Sequence, residues 1–402
     1  MMKDNPLRRN LTETFDTDVL VIGGGFAGIF SAYFLAQEGF EVMIIDQNDF
    51  GTKASGVNAG NIHQQLMTYN YHNYGWDWFE SWAIICRYFK ESFGIWQKLG
   101  TEVGPALNID VCGGLTVGEN DEQLELLRRK VELENYYGIE TVMLSRSDVA
   151  RMAPYISECV AGASFCKAEG KIEPLIAMPA LLKAALDTGS LTAYRHCRVL
   201  NAEKKRDHYS IETSLGFIRC RRLVNAAGAG AMSIASLFGV QLKVEERPIQ
   251  MLATEAVEPF MHHLLYHAKE RMSLKQVSNG NVLVGGGWLG SVDERTGLTL
   301  VNRESIQGSL HVAASIVPSI QSLNLLRCWG GIIFTPPDGL PIVDRVPGHE
   351  GLFFAVSNHF GVTLGPLIGR TITEIIRAKS PSIDIKQLSL NRPAVPEAAQ
   401  ST

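Results

Sequence analysis

The amino-acid sequence predicts an α/β (α+β) fold in which a parallel sheet of βα units is interrupted by a second, mainly antiparallel sheet. Three observations carry this. Residues 18–46 read as strand, glycine turn, helix and second strand. The pattern of strand, bare turn and helix returns at 222–238 and again at 352–378. The segments between them read as short strands of meander type, which suits an insertion into the parallel unit.

The first unit is the most explicit. Residues 18–22 (DVLVI) are an apolar run of strand type that ends in Gly23, Gly25 and Gly28, spaced G-x-G-x-x-G. A helical pattern with Ile29, Ala32, Tyr33, Leu35 and Ala36 follows and stops at Gly39. A second strand, 41–45, ends in Asp46, eighteen residues after Gly28. This is the layout of a dinucleotide site. Gly23 permits the tight turn, Gly25 lets the backbone approach a pyrophosphate, and Gly28 lets helix and strand pack. The helix N-terminus presents free N–H groups and its positive dipole end to the phosphates. Asp46 is the acceptor for ribose hydroxyls.

Composition narrows the class. With 402 residues the chain holds two domains or one large one. A hydrophobic content of 46% and a charged content of 20% are those of an ordinary globular protein. A net charge of −5 argues against nucleic acid as the main partner. No apolar run reaches the roughly eighteen residues that span a bilayer. The polar N-terminus lacks an apolar h-region and reads as a flexible leader, not a secretory signal. Seven scattered cysteines form no C-x-x-C pair and no zinc spacing, so no metal site is expected and the thiols read as reduced, in a cytoplasmic protein.

After Asp46, residues 47–60 are rich in Gly, Asn and Ser and long for a βα connection. Such a loop would run back along the cofactor, bringing Asn61, His63, Gln64 and Gln65 near its reactive end. Residues 69–96 are dense in aromatics, and from Phe79 onward their spacing suits one or two helices. These belong either to the core or to a substrate-cavity wall or protein–protein face. Residues 121–137 read as an amphipathic helix, and 174–187 as a helix with Pro174 near its start. Strands at 195–202, 209–213 and 217–220 form a small meander. Residues 222–230 run from a strand into glycines and then a helix, 232–238. Strands within 240–256 and 272–288 belong to the antiparallel sheet, followed by a helix at 302–316.

Taken together, 21–28 (VIGGGFAG), 54–60 (ASGVNAG), 224–228 (VNAAG), 329–331 (WGG), 335–341 (TPPDGLP) and 359–363 (HFGVT) resemble the D-amino-acid oxidase superfamily of FAD-dependent amine oxidoreductases. The resemblance spans roughly residues 16–378. Residues 54–65 and 361–369 look most like the flavoprotein subunits of opine and hydroxyproline dehydrogenases. The group also includes glycine and sarcosine oxidases.

The resemblance implies a Rossmann-like FAD-binding domain of glutathione-reductase type, formed by 16–95, 145–238 and 325–380. A substrate domain of 96–144 and 239–324 is inserted into it, with flexible termini at 1–15 and 381–402. It implies FAD held non-covalently. Gly23, Gly25, Phe26, Ala27 and Gly28 would line the pyrophosphate, and Asp46 and Gln47 the adenosine. Lys53, Ala54 and Ser55 would follow the cofactor toward the flavin, with Asn58, Ala59 and Gly60 passing the ring. Val199 would meet the adenine, and Ala227 and Gly228 the pyrophosphate side. Asn358, His359, Gly361, Val362 and Thr363 would contact the pyrimidine edge. His63 and His359 would be the titratable groups nearest the ring, and Lys275 resembles a lysine placed over it. A second flavoprotein chain in a hetero-oligomer is implied in the same way.

Two departures stand out. Relatives often carry an arginine shortly after the Trp-x-Gly turn to pair with the substrate carboxylate; here that position is Ile333. Arg271, Lys275 and Arg327 are the candidate replacements. Cys328 falls near where monomeric sarcosine oxidases tether FAD, but in a different local context. The function expected is flavin-dependent oxidation of a C–N bond in a D-amino acid or an N-substituted amino acid such as an opine, hydroxyproline, sarcosine or glycine. The alternative is an FAD-binding scaffold or electron-transfer subunit with little activity alone.

Overall fold

The computed structural model describes residues 14–392. Residues 1–13 and 393–402, parts of the termini expected to be flexible, lie outside the described residues.

The first sheet runs in the order Ile342–Arg345, Leu352–Val356, Gly216–Asn225, Thr14–Ile22, Val42–Ile45, Leu191–Tyr194. Along this path four of the five pairings are parallel, and Ile342–Arg345 is antiparallel; the meander strands Val199–Lys204 and Tyr209–Thr213 join the sheet antiparallel. Val42–Ile45 and Leu352–Val356 are buried along their whole length, as expected of strands covered on both faces. The stretches 217–220 and 222–225, expected as separate strands, form one ten-residue strand. It pairs with Thr14–Ile22 on one side and with the meander strand Tyr209–Thr213 on the other.

Two helices follow the first and last parallel strands and press together. A Cβ on Gly369 of helix Gly361–Ile376 would lie 2.5 Å from the Phe30 carbonyl carbon of helix Phe26–Gln37. One on Gly365 would lie 3.0 Å from Phe26 Cβ. Glycine at these two places lets the backbones approach more closely than any side chain would allow. The three bare turns therefore meet at one edge of the sheet, with Gly23 against the Ala226 carbonyl.

The second sheet has the order Leu325–Thr335, Glu245–Ala256, Asn281–Gly285, Ser273–Gln276, Leu264–His267, Gly114–Gly118, Gly162–Cys166, Thr141–Ser145. All pairings are antiparallel except 264–267 with 114–118. Strands 162–166 and 325–335, assigned from the sequence to the first domain, belong to this sheet. Their hydrogen bonds to 114–118 and 245–256 decide the matter. One face carries Leu252, Leu274, Val282 and Val284, which pack with Ala313 and Ile316 of helix Arg303–Ile316. The other face turns toward the first domain.

Both termini need correction where described. Thr14–Asp16 already belongs to the first strand. Residues 381–392 pack on the body: Leu388 is buried, and the Arg392 guanidinium binds the Asp338 carboxylate and the carbonyls of Leu340 and Pro341. The aromatic stretch folds as helices Tyr69–Tyr74, Trp76–Trp82 and Ile85–Glu102. Trp78, Phe79, Trp82, Tyr88, Phe89 and Trp96 are buried in the main core, while Tyr74 reaches its edge. All seven cysteines are free thiols. Among the described residues no helix is long and apolar enough to cross a membrane.

Candidate active site

The cradle forms where Thr14–Ile22 ends. Gly23 has φ +111°, and a Cβ there would lie 2.3 Å from the Ala226 carbonyl oxygen. A Cβ on Gly28 would lie 1.8 Å from the Gly23 carbonyl oxygen. Side chains at these positions are sterically excluded, which is why the turn stays bare. Gly25 faces Ser55, whose Oγ accepts the Phe26 N–H at 3.1 Å. The Asp46 carboxylate accepts the N–H of Gly24 and of Asn48, each at 2.7 Å. It thus ties the second strand to the glycine turn and keeps lone pairs for further donors.

The 47–60 connection is not wholly irregular. Ala54–Val57 is a helical turn, closed by Asn58, whose amide donates to the carbonyls of Ala54 and Ser55 and whose Oδ1 accepts the Gly60 N–H at 2.6 Å. Gln47, Lys53 and Ala54 are exposed, and Ala59 is half-buried. Asn61–Ile62 then pairs with Gly170–Lys171. Val199 begins the strand Val199–Lys204, and Ala227 and Gly228 follow Asn225 beside the glycine turn.

The C-terminal turn locks onto this strand. Thr363 Oγ accepts the His63 N–H at 2.9 Å and donates to the Asn61 carbonyl at 3.2 Å. Through these two bonds Thr363 anchors the loop. Asn358 Oδ1 accepts the Phe360 N–H at 3.0 Å, just before the helix Gly361–Ile376. Val362 is buried and gives its carbonyl to Trp96 Nε1 at 3.1 Å.

The second sheet supplies the other wall. Trp329 Nε1 donates to the Val57 carbonyl at 2.8 Å, and a Cβ on Gly331 would meet Val57 Cγ2 at 2.4 Å. Ser273 Oγ accepts from the Asn61 amide at 3.0 Å. Side chains alternate along strands and neighbours in register share a face. Arg247, Ile249 and Met251 therefore stand on the same face as Trp329, Gly331 and Ile333. Lys275 joins them through Leu283 and Ala253. Cys328 pairs with Leu252 and packs on the helix side. It points away from the cradle, in keeping with a cofactor not tethered there.

His63, Lys275 and His359 are brought together. His63 is buried, and burial holds its imidazole down to about 3, with His359 and Lys275 adding to the effect. Burial lowers His359 to about 4, with Arg247 contributing. Lys275 is 1% exposed, its Nζ has no hydrogen-bond partner among the described residues, and burial brings it to about 7. All three are thus driven toward their uncharged forms.

Several groups at the site were not foreseen. Tyr266 Oη lies 3.2 Å from His63 Nδ1. Glu169 Oε1 accepts the N–H groups of Gln64 and Gln65, at 3.0 and 2.9 Å. Glu134 accepts the Leu66 N–H at 2.6 Å and pairs with the fully buried Lys130 at 2.8 Å. Two buried carboxylates thus hold three successive N–H groups just after His63. Lys130 and Glu134, four apart on a predicted helix, were visible as an i,i+4 pair, but their burial was not. Of the candidate cations, Arg271 donates to the Gly287 carbonyl at 2.9 Å, and Arg327 is exposed over the Trp329 ring.

A bare glycine turn at a helix start, an acid closing the second strand, and a facing wall of desolvated groups define a dinucleotide-dependent oxidoreductase in class. The family model for FAD dependent oxidoreductases (DAO) matches residues 18–375, and the chain belongs to that family. It is 25% identical to the beta chain of the sarcosine oxidase of Rhizobium meliloti (strain 1021), over 82% of this chain and 77% of that protein. It is also 25% identical to one of the subunits of the opine oxidase of Rhizobium meliloti, over 87% and 90%. Its fold matches the crystal structure of glycine oxidase from Geobacillus kaustophilus with a TM-score of 0.82 and 23% identity, over 95% of this chain and all of that one.

The residues present fit FAD. The bare turn excludes Cβ atoms beside the first helix N-terminus, and the unpartnered Lys275 amine stands on the wall opposite it. FAD is the cofactor of this oxidoreductase.

Proposed function

We propose that the chain oxidises a C–N bond of a D-amino acid or an N-substituted amino acid such as an opine, hydroxyproline, sarcosine or glycine. The observation that carries this is the burial of three titratable groups on one wall. His63, His359 and Lys275 are all pushed toward their uncharged forms by burial, so an amine that enters uncharged meets no full positive charge from them. Bound FAD supplies a hydride acceptor, and the imine left behind is hydrolysed by water.

The chain's own groups position and polarise. Lys275, near 7, holds or releases a proton at Nζ close to neutral pH. The N-terminus of Gly361–Ile376 offers free N–H groups and a positive dipole end where negative charge builds up. In keeping with the resemblance, the glycines at 23, 25 and 28 hold the pyrophosphate and Asp46 the ribose. Residues 53–60 and 358–363 border the flavin.

The sarcosine oxidase and opine oxidase relatives are each named as one subunit of their enzyme, which favours a hetero-oligomer with a second flavoprotein chain. Seven free thiols favour a reducing compartment such as the cytoplasm. Imine or keto-acid formation with an artificial electron acceptor, assayed on opines, hydroxyproline, sarcosine, glycine and D-amino acids, tests the proposal. No turnover of any amine by the flavin-loaded chain, with and without a partner chain, overturns it. Ile333 in place of a cation favours the second reading, a scaffold or electron-transfer subunit. Activity of the isolated chain separates the two.

A further inference from the structure

We infer that Arg247, on the strand beside Ile333, is the group that binds the carboxylate of the substrate. The inference rests on the amino-acid oxidation proposed above. Arg247 and Ile333 are direct partners in an antiparallel pair, so their Cβ atoms lie roughly 5 Å apart on one face. A charge moved from position 333 to position 247 therefore stays at the same place on the wall and changes only its strand.

The surroundings suit an anion. The titratable groups His63, His359 and Lys275 do not provide a firm cation, because burial favours their neutral forms. A guanidinium remains charged under the same burial and has five donors, more than its own protein partners use here. Arg247 is half-buried, and its field reaches His359 and Tyr69.

Its partners leave one nitrogen open. Nη2 donates to Tyr74 Oη at 2.8 Å and to Glu245 Oε2 at 2.7 Å, and Nε donates to the same oxygen at 3.2 Å. Nη1 has no partner among the described residues. Since Tyr74 Oη accepts from Arg247, its own proton is available to the bound anion. Glu245 steadies the outer edge of the guanidinium from the solvent side. The ligand class is an amino acid with a free carboxylate; esters and amides of the same amine lack the recognised group.

The test is flavin-absorbance titration of the FAD-loaded protein with propionate and with neutral propionamide, in wild type, Arg247→Gln and Arg247→Lys. Propionate binding should weaken on the order of ten- to hundredfold in Arg247→Gln, as for loss of a charged hydrogen-bond pair. Propionamide binding should be unchanged. Arg247→Lys, which keeps the charge but cannot hold Glu245 and Tyr74 and reach the anion at once, should be intermediate. The KM of a carboxylate-bearing amine should rise in parallel, with kcat less affected.

Wild-type affinity for propionate in Arg247→Gln overturns the inference. If that variant loses its flavin, wild-type affinity in Arg247→Lys overturns it instead. Failure of the wild type to bind propionate does so as well. Absence of amine turnover in a wild type whose propionate binding still depends on Arg247 would defeat the oxidation proposal and leave the anion site standing.

Discussion

The Tyr266 hydroxyl lies 3.2 Å from His63 Nδ1, and the Asn61 amide donates to the same oxygen at 3.3 Å. The Tyr266 hydroxyl thus stands among three partners, the Asn61 amide, His63 Nδ1 and the buried Glu169 carboxylate, which adds to burial in raising its pKa. Replacing Tyr266 with Phe leaves Asn61 and His63 without this partner and should cost about 1–3 kcal/mol. Urea unfolding of the flavin-loaded variant measures the loss.

Lys275 makes stability depend on pH. Its folded value near 7 lies below the ordinary 10.5, so between these values the unfolded chain holds the proton more often. Stability therefore falls as pH drops from 10.5 toward 7, and the penalty is complete below 7. Lys275→Met removes the penalty. It should stabilise the protein near pH 7 by on the order of a few kcal/mol, with the gain shrinking toward pH 10.5. Thermal unfolding across that range checks this, and a gain independent of pH would exclude the charge as its source.

The Lys130–Glu134 pair is fully buried and also carries the Leu66 N–H. Glu134→Ala leaves an ammonium and an amide hydrogen uncompensated in the core, at a cost of about 3–5 kcal/mol. The paired change Lys130→Met with Glu134→Leu should be milder, because no charge is stranded. Chemical denaturation of both variants makes the comparison.

Gly369 lets the last helix touch the first. With Phe30 carbon 2.5 Å from any added Cβ, Gly369→Ala must push the helices apart, at about 1–3 kcal/mol. Because the first helix begins at the cofactor cradle, FAD retention through gel filtration should fall alongside the melting temperature.

Much of this was legible in the chain. Gly23, Gly25, Gly28 and Asp46 announce their task by spacing, because a tight turn and close helix packing tolerate few other residues. His63, Lys275 and His359 were named individually, and the fold brings Lys275 and His359 within electrostatic reach of His63. The cation partner was missed. Nothing along the chain links Arg247 to Ile333, 86 positions away; only strand register joins them. The carboxylates that hold 64–66 were missed for a related reason, since Glu134 and Glu169 look like surface acids until burial is known. Residues 381–392 were expected to be part of a flexible terminus, and their docking depends on an Asp338 that the linear pattern does not connect to Arg392.

The sequence by itself determined the parallel unit, its dinucleotide turn and the family. These rest on local rules: strand period, glycine spacing and helix start. Tertiary structure alone decided which face of the second sheet meets the cradle, and so which side chains line the site. A face is set by register between strands far apart in the chain, and a charge takes its chemical meaning from how much water the fold removes around it.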